Sequence, residues 1–167
     1  MKLRQVRRQL RKSNSKDILM RPDKFLTAEQ QDIVVAAVRL AEKGTSGEIR
    51  VHIDGDCKGD LMERAEEVFS KLGMHRTKLR NGVLIYLACN TKVFAIIGDQ
   101  GINEVVPDGF WDDTAQMMSE YFRLGCFTEG LSRAVAMVGE NLKTFFPYQE
   151  GDVNELPDDI SFGKNEE

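Results

Sequence analysis

The chain has 167 residues, 41% of them hydrophobic, with nine phenylalanines and a formal net charge of −4. That is enough for one domain with a real core plus tails. No apolar run approaches the ~18 residues that cross a bilayer, and no apolar stretch follows the basic start. These features exclude a membrane span or secretory leader and predict a soluble, cytoplasmic protein.

Residues 1–16 hold seven basic side chains (Lys2, Arg4, Arg7, Arg8, Arg11, Lys12, Lys16) and no acid, leaving 16 basic against 27 acidic residues elsewhere. Such an arm can tether a protein to nucleic acid or a membrane surface. It lacks the interleaved aromatics that stack on bases, so nucleic acid is not the expected partner. Residues 1–24 are read as a disordered extension, with Met20 an alternative start. Cys57, Cys89 and Cys126 are scattered, without the spacing of a disulfide framework or zinc site.

Thr27, with Gln30 three residues on, forms a capping box. Ile33, Val34, Ala37, Leu40 and Ala41 then recur at helical spacing until Gly44. From Glu48 to Ile53 strict alternation puts Ile49, Val51 and Ile53 on one face, the signature of a half-buried strand near an edge. Asp60 caps a second helix carrying Leu61, Ala65, Val68, Phe69 and Leu72, closed by Gly73.

The basic loop Met74–Arg80 feeds two apolar runs, Val83–Ala88 and Val93–Ile97, joined by Asn90-Thr91-Lys92. They read as a hairpin, and the first run is apolar enough to be covered on both faces. A strand–helix–strand crossover makes 48–53 parallel to 82–88. A short helical turn follows at Gly101–Val106. Pro107-Asp108-Gly109 starts a helix bearing Phe110, Trp111, Met118, Tyr121 and Phe122, and Thr128 caps a last one with Leu131, Val135, Val138, Leu142 and Phe145 on one face. Residues 25–147 therefore form an α/β domain, a small mixed β-sheet sandwiched between helices. Residues 148–167 are an acidic tail, mobile or loosely packed by Val153, Leu156, Ile160 and Phe162.

Four segments resemble the TPM-domain family, named for a thylakoid lumen protein, a photosystem II repair protein and a nematode membrane modulator. They are Gly47-Glu48-Ile49-Arg50-Val51, Glu67–Gly73, Asn81-Gly82-Val83-Leu84-Ile85, and the pair Gly98 and Gly101. The resemblance implies a TPM-like α/β/α sandwich, acid-phosphatase or calcium-binding activity in some relatives, and assembly or membrane-tethered roles in others. Fold alone does not select among these. The commonest family pattern has Asp before the Asn-Gly, where this chain has Arg80. A carboxylate available to a divalent cation is thereby replaced by a cation.

Two sheet ends are candidate sites. At the first, His75, Arg76, Lys78, Arg80 and Asn81 surround the Gly98–Gly101 turn, an arrangement suited to a phosphate or other anion. There Asp99 is the candidate catalytic residue, as nucleophile or water-orienting group, and with Glu104 a candidate metal ligand. The competing structural assignment pairs Asp99 with Arg80 or makes it the cap of the turn. At the second end, Asp54 and Asp56 (with Asp60) have the alternate spacing of a calcium loop, although the twelfth position from Asp54 is Ala65 rather than Glu. The ligands are oxygens, so Ca²⁺ or Mg²⁺ is the expected ion. Two functions follow: a phosphatase-like domain acting on a phosphorylated small molecule, or a non-catalytic module for a protein partner or assembly. His52 and His75 have no Ser or Cys nearby in sequence to form a nucleophile–base pair.

Overall fold

The computed structural model describes residues 5–9 and 19–164. Its sheet has the order β1-β4-β3-β2-β5, with β1 Gln5–Gln9, β2 Glu48–Asp54, β3 Gly82–Ala88, β4 Val93–Gly98 and β5 Ser161–Phe162. The helices are α1 Ala28–Glu42, α2 Leu61–Lys71, α3 Gln100–Asn103, α4 Asp112–Arg123 and α5 Phe127–Lys143. β2 and β3 are parallel, in register from Glu48↔Gly82 to Asp54↔Ala88. β3 and β4 form the expected antiparallel hairpin. No helix among the described residues is long and apolar enough to cross a membrane.

Alternation sorts the sheet into two cores. Ile49, Val51, Ile53, Val83, Ile85, Leu87, Phe94 and Ile96 face one layer with buried residues of α1, α4 and α5. Leu84, Tyr86, Ala88, Ala95 and Ile97 face α2 through Leu61, Ala65, Val68 and Phe69. The β3 run is apolar throughout because both of its faces are covered.

Several elements form where the sequence places them. Thr27 and Gln30 make the capping box of α1, Asp60 accepts from the amides of Met62 and Glu63 at the start of α2, and Gly73 takes φ +67° past its end. Others differ. On α1 the buried residues are Val34 and Val38, whereas Ile33 is 53% and Leu40 70% exposed. The contact with α5 is narrow: a Cβ on Gly139 would collide with Ala41. The fourth helix begins at Asp112, after the turn at Gly109. The fifth begins at Phe127 with Cys126 as its cap, so Thr128 lies inside its first turn and Phe145 beyond its end.

The largest corrections concern the two ends of the chain. Gln5–Gln9, read as disordered extension, pairs antiparallel with β4 and occupies an otherwise open sheet edge. The Met20 backbone exchanges hydrogen bonds with the Asn90 side-chain amide at 2.8 and 2.9 Å, anchoring the residues before α1. The remainder of the basic arm, 1–4 and 10–18, lies outside the described residues. The acidic tail returns to the sheet: Leu156 and Ile160 are buried, Val153 is exposed, and Ser161–Phe162 pair parallel to β2. Consequently β2 is buried along its whole length rather than half-exposed.

Candidate functional site at the two ends of strand β2

The face of β2 opposite Ile49, Val51 and Ile53 carries Glu48, Arg50, His52 and Asp54, all 8% exposed or less. Four ionisable groups spaced two apart would suit water, but here the returning tail covers them. Glu48 Oε1 accepts from the Glu155 amide at 2.8 Å, and Arg50 Nη2 donates to the Asp159 carbonyl at 3.1 Å. His52 Nδ1 lies 3.0 Å from Ser161 Oγ, and the amide of Gly163 donates to the Ile53 carbonyl.

At the carboxyl end of the strand, Asp54 is enclosed by donors. His52 Nε2 lies 2.8 Å from Oδ1, Arg64 donates to both oxygens at 2.8 and 3.1 Å, and the Tyr86 hydroxyl donates to Oδ2 at 2.6 Å. Burial alone would raise the Asp54 pKa, but the hydrogen bonds of His52, Arg64 and Tyr86 outweigh it and hold the carboxyl well below the usual range. Burial and then Asp54 push the Tyr86 phenol up. With its oxygens so occupied, Asp54 ties β2 to β3 and α2 as a strut. Asp56 is exposed and bonded by Thr91 Oγ1 at 3.4 Å, while Asp60 caps α2.

At the amino end, the first candidate edge assembles in part. Arg80 grips Asp99 through Nε to Oδ2 at 2.8 Å and Nη2 to Oδ1 at 2.9 Å. Asp99 has no exposed surface and also caps α3, accepting from the Gln100 amide at 2.7 Å. The amide of Gly101 is bonded to the Arg80 carbonyl, and a Cβ at Gly101 would overlap the carbonyl oxygens of Leu79 and Arg80. The turn is thus spent on its own packing. His75, Arg76 and Lys78 line up along the preceding loop, where His75 and Lys78 are exposed, Arg76 stacks its side chain beside Gly73, and the Lys78 amide donates to Glu155 Oε2. Glu104 is exposed and bonded by the Gln100 side chain at 3.1 Å, and its charge acts on Arg80. Arg80 itself has φ +52°, the left-handed region. Asp enters that region more readily than Arg, which is a conformational reason for the family's Asp at this position.

Asn81 is fully buried: its amide donates to Thr77 Oγ1 at 3.1 Å, its Nδ2 lies 3.4 Å from Ser46 Oγ, and its Oδ1 has no partner. Its carbonyl receives the Glu48 amide at 3.3 Å. Glu48, 3% exposed, likewise keeps an unpartnered oxygen, Oε2. Glu42 faces it from the end of α1, with Oε1 accepting from the Ile49 amide at 2.8 Å. Burial, then the Asp158 carboxyl and the charge of Glu48, push Glu42 up to about 10. Burial likewise pushes Glu48 up to about 7 against the Glu155 amide. Glu42 and Glu48 can share a hydrogen bond only while one is protonated; with both ionised, Glu48 Oε2 has no donor. Glu42 and Glu48, with Arg39, Lys43, Ser46 and Asp158, line a cavity of about 190 Å³. Chain order does not reveal Glu42 or Asp158, because sequence separation hides that the end of α1 and the tail converge on Glu48.

Among the described residues no three His, Cys, Asp or Glu side chains form a ready-made metal centre. At the amino end two buried acceptors, Glu48 Oε2 and Asn81 Oδ1, lack a donor, and the cationic side chains of Arg39 and Lys43 line the same cavity as Glu48.

The chain is 48% identical to the BA42 protein of the psychrophilic bacterium Bizionia argentinensis, whose NMR structure superposes with a TM-score of 0.80 over 83% of this chain and 96% of that one. The N-terminal domain of a protein from P. gingivalis shares the fold at 24% identity and a TM-score of 0.58, covering 73% of this chain and 79% of that one. No curated protein matches. The family model described as the TPM domain matches residues 19–141, which contain both strand ends and the hairpin. The chain belongs to the TPM domain family.

Proposed function

We propose that this chain is a non-catalytic TPM module that takes up a divalent cation at the amino end of β2, with Glu48 and Glu42 as carboxylate ligands and Asn81 as an amide ligand. The observation that carries the reading is the pair of buried acceptors without donors, Glu48 Oε2 and Asn81 Oδ1, beside a second carboxylate. Buried acceptors are costly when unmet, and burial makes these carboxylates hold protons they would otherwise release. A cation would satisfy both acceptors. Calcium and magnesium are the candidates, because every donor is an oxygen. The site lies at the sheet end that also carries Arg80 and Asp99, but does not use Asp99.

Phosphoester hydrolysis through Asp99 has less support. A nucleophile or water-orienting base must reach substrate, and Asp99 is buried with both oxygens held by Arg80. The test is calorimetric titration of the whole chain with calcium and with magnesium, run beside a phosphoester turnover assay. Saturable binding that disappears in Glu48→Gln and persists in Asp99→Asn is expected, without turnover. Binding that instead depends on Asp99, or turnover lost in Asp99→Asn, would overturn the assignment.

A further inference from the structure

Helix α1 carries aliphatic residues on two sides. Val34 and Val38 enter the core, and the close approach of Gly139 to Ala41 fixes that side against α5. Turned away from the core are Ile33 and Leu40, 53% and 70% exposed, with the exposed Ala36 between them. Among the described residues, Ile33 and Leu40 are the large exposed hydrophobic side chains that lie within a helix. Single aliphatics scattered over a surface are ordinary; these share one stripe. The outer face of α5 shows the same register built for water. Its exposed residues there are Glu129, Arg133, Ala136 and Glu140, and Arg133 bonds to Glu129 at 3.2 Å.

The stripe has the spacing of a helix–helix seam. Glu29, Ile33, Ala36, Leu40 and Lys43 follow one another at intervals of four, three, four and three residues, which keeps them on one side of the helix. Ala36 is the midpoint, and the two ends carry opposite charges. Glu29 and Lys43 are exposed and form no ion pair with another described residue. We propose that this face of α1 is a self-association surface, on which a second copy of the chain docks antiparallel about a two-fold axis at Ala36. Ile33 of each copy then meets Leu40 of the other, and Glu29 meets Lys43. A parallel arrangement would instead oppose Glu29 with Glu29 and Lys43 with Lys43. Asp32 and Arg39 flank the seam with the same symmetry, but Arg39 already faces Asp158 at 3.6 Å, so the outer pair sets the direction. The aliphatic centre supplies affinity, while exposed ion pairs act mainly on orientation. One helix face per copy is small beside the roughly 1,600 Å² of a standard interface, so the dimer is weak and concentration-dependent. It needs no ion at the end of β2.

Sedimentation velocity of the whole chain over a rising concentration series reads the association. The parent should shift from monomer to dimer. Leu40→Glu, which puts a charge into the apolar centre at an exposed position, should stay monomeric with an unchanged circular-dichroism spectrum. Charge exchange tests the direction. Glu29→Lys or Lys43→Glu alone sets like charges against each other at both ends of the seam and should weaken dimerisation by roughly an order of magnitude. Mixing the two variants restores opposite charges at both ends and should recover the dimer. A parent chain that is monomeric at every concentration would overturn the proposal and leave the stripe to a different macromolecule. A dimer that survives Leu40→Glu would place the contact on another surface, and one that weakens in neither charge variant would refute the antiparallel pairing.

Discussion

The two ends of β2 each bury a carboxylate under the same returning tail, yet they have opposite electrostatic fates. Asp54 meets a guanidinium, a phenol and an imidazole, and stays ionised far below its usual range. Glu48 meets the backbone amides of Glu155 and Leu156 and the acids Glu42 and Glu155, and burial pushes its pKa up to about 7. Burial is common to both, so partners decide the outcome. A carboxylate whose lone pairs are satisfied by the protein is part of the scaffold. One that lacks donors among like charges is stable only when something from outside, a proton or a cation, completes it.

The sharpest way to break this contrast is Asp54→Ala, which leaves Arg64 and His52 facing a void. Urea denaturation should show a loss of about 3–5 kcal/mol, as for the removal of one partner of a buried ion pair. A loss below about 1 kcal/mol would deny that this end is a scaffold. Next in size is Asp99→Ala, which frees Arg80 and uncaps α3. A loss of about 1.5–3 kcal/mol is expected, with calcium affinity unchanged on titration.

The two ends also predict opposite pH slopes. Glu42 and Glu48 bind protons more tightly folded than unfolded, so in chelator the chain should lose stability as pH rises from about 4.5 through 7 and on toward 10. Asp54 is depressed, so its contribution is present above its ordinary pKa near 3.8 and fades as the pH falls below that value. Chemical denaturation at pH 5 and pH 8 should show the first slope flattened in Glu42→Gln; an unchanged slope would mean that those acids are not proton-linked. The smallest expected effect is Tyr86→Phe. It deletes one of several bonds to Asp54 and should lower stability by about 0.5–1.5 kcal/mol in the same assay.

The core and the topology are legible in the sequence because periodicity reports burial. The apolar run at Val83–Ala88 and the crossover through α2 lead directly to the parallel β2–β3 pair. Periodicity says nothing of what covers a polar face. Glu48-Arg50-His52-Asp54 looks the same in sequence whether water or a tail lies over it. His52 has no serine beside it along the chain, yet Ser161 reaches it from 109 residues away. The signal available is the tail's own apolar spacing, Leu156 and Ile160, inside an otherwise acidic stretch. Ile33 and Leu40 face water for a related reason: the face of α1 is set by the close approach of Gly139 to Ala41, not by the number of apolar residues on it. At the candidate site, the Arg80–Asp99 pairing and the Asp99 cap follow from hairpin geometry, whereas Glu42 and Asp158 require the tertiary path.

The separation between β2 and β5 also bears on the order of folding. β2, β3 and α2 can assemble from neighbouring segments, but the parallel pairing of His52 with Ser161 must close a loop of more than a hundred residues. Contacts of such range form late, after the hairpin and the helices have collapsed. Until then the chain has a nearly complete core beside a bare row of ionisable groups on β2. In any state whose tail has not yet docked, charge along that row would disfavour pairing of the unfinished edge with a strand of a neighbouring molecule.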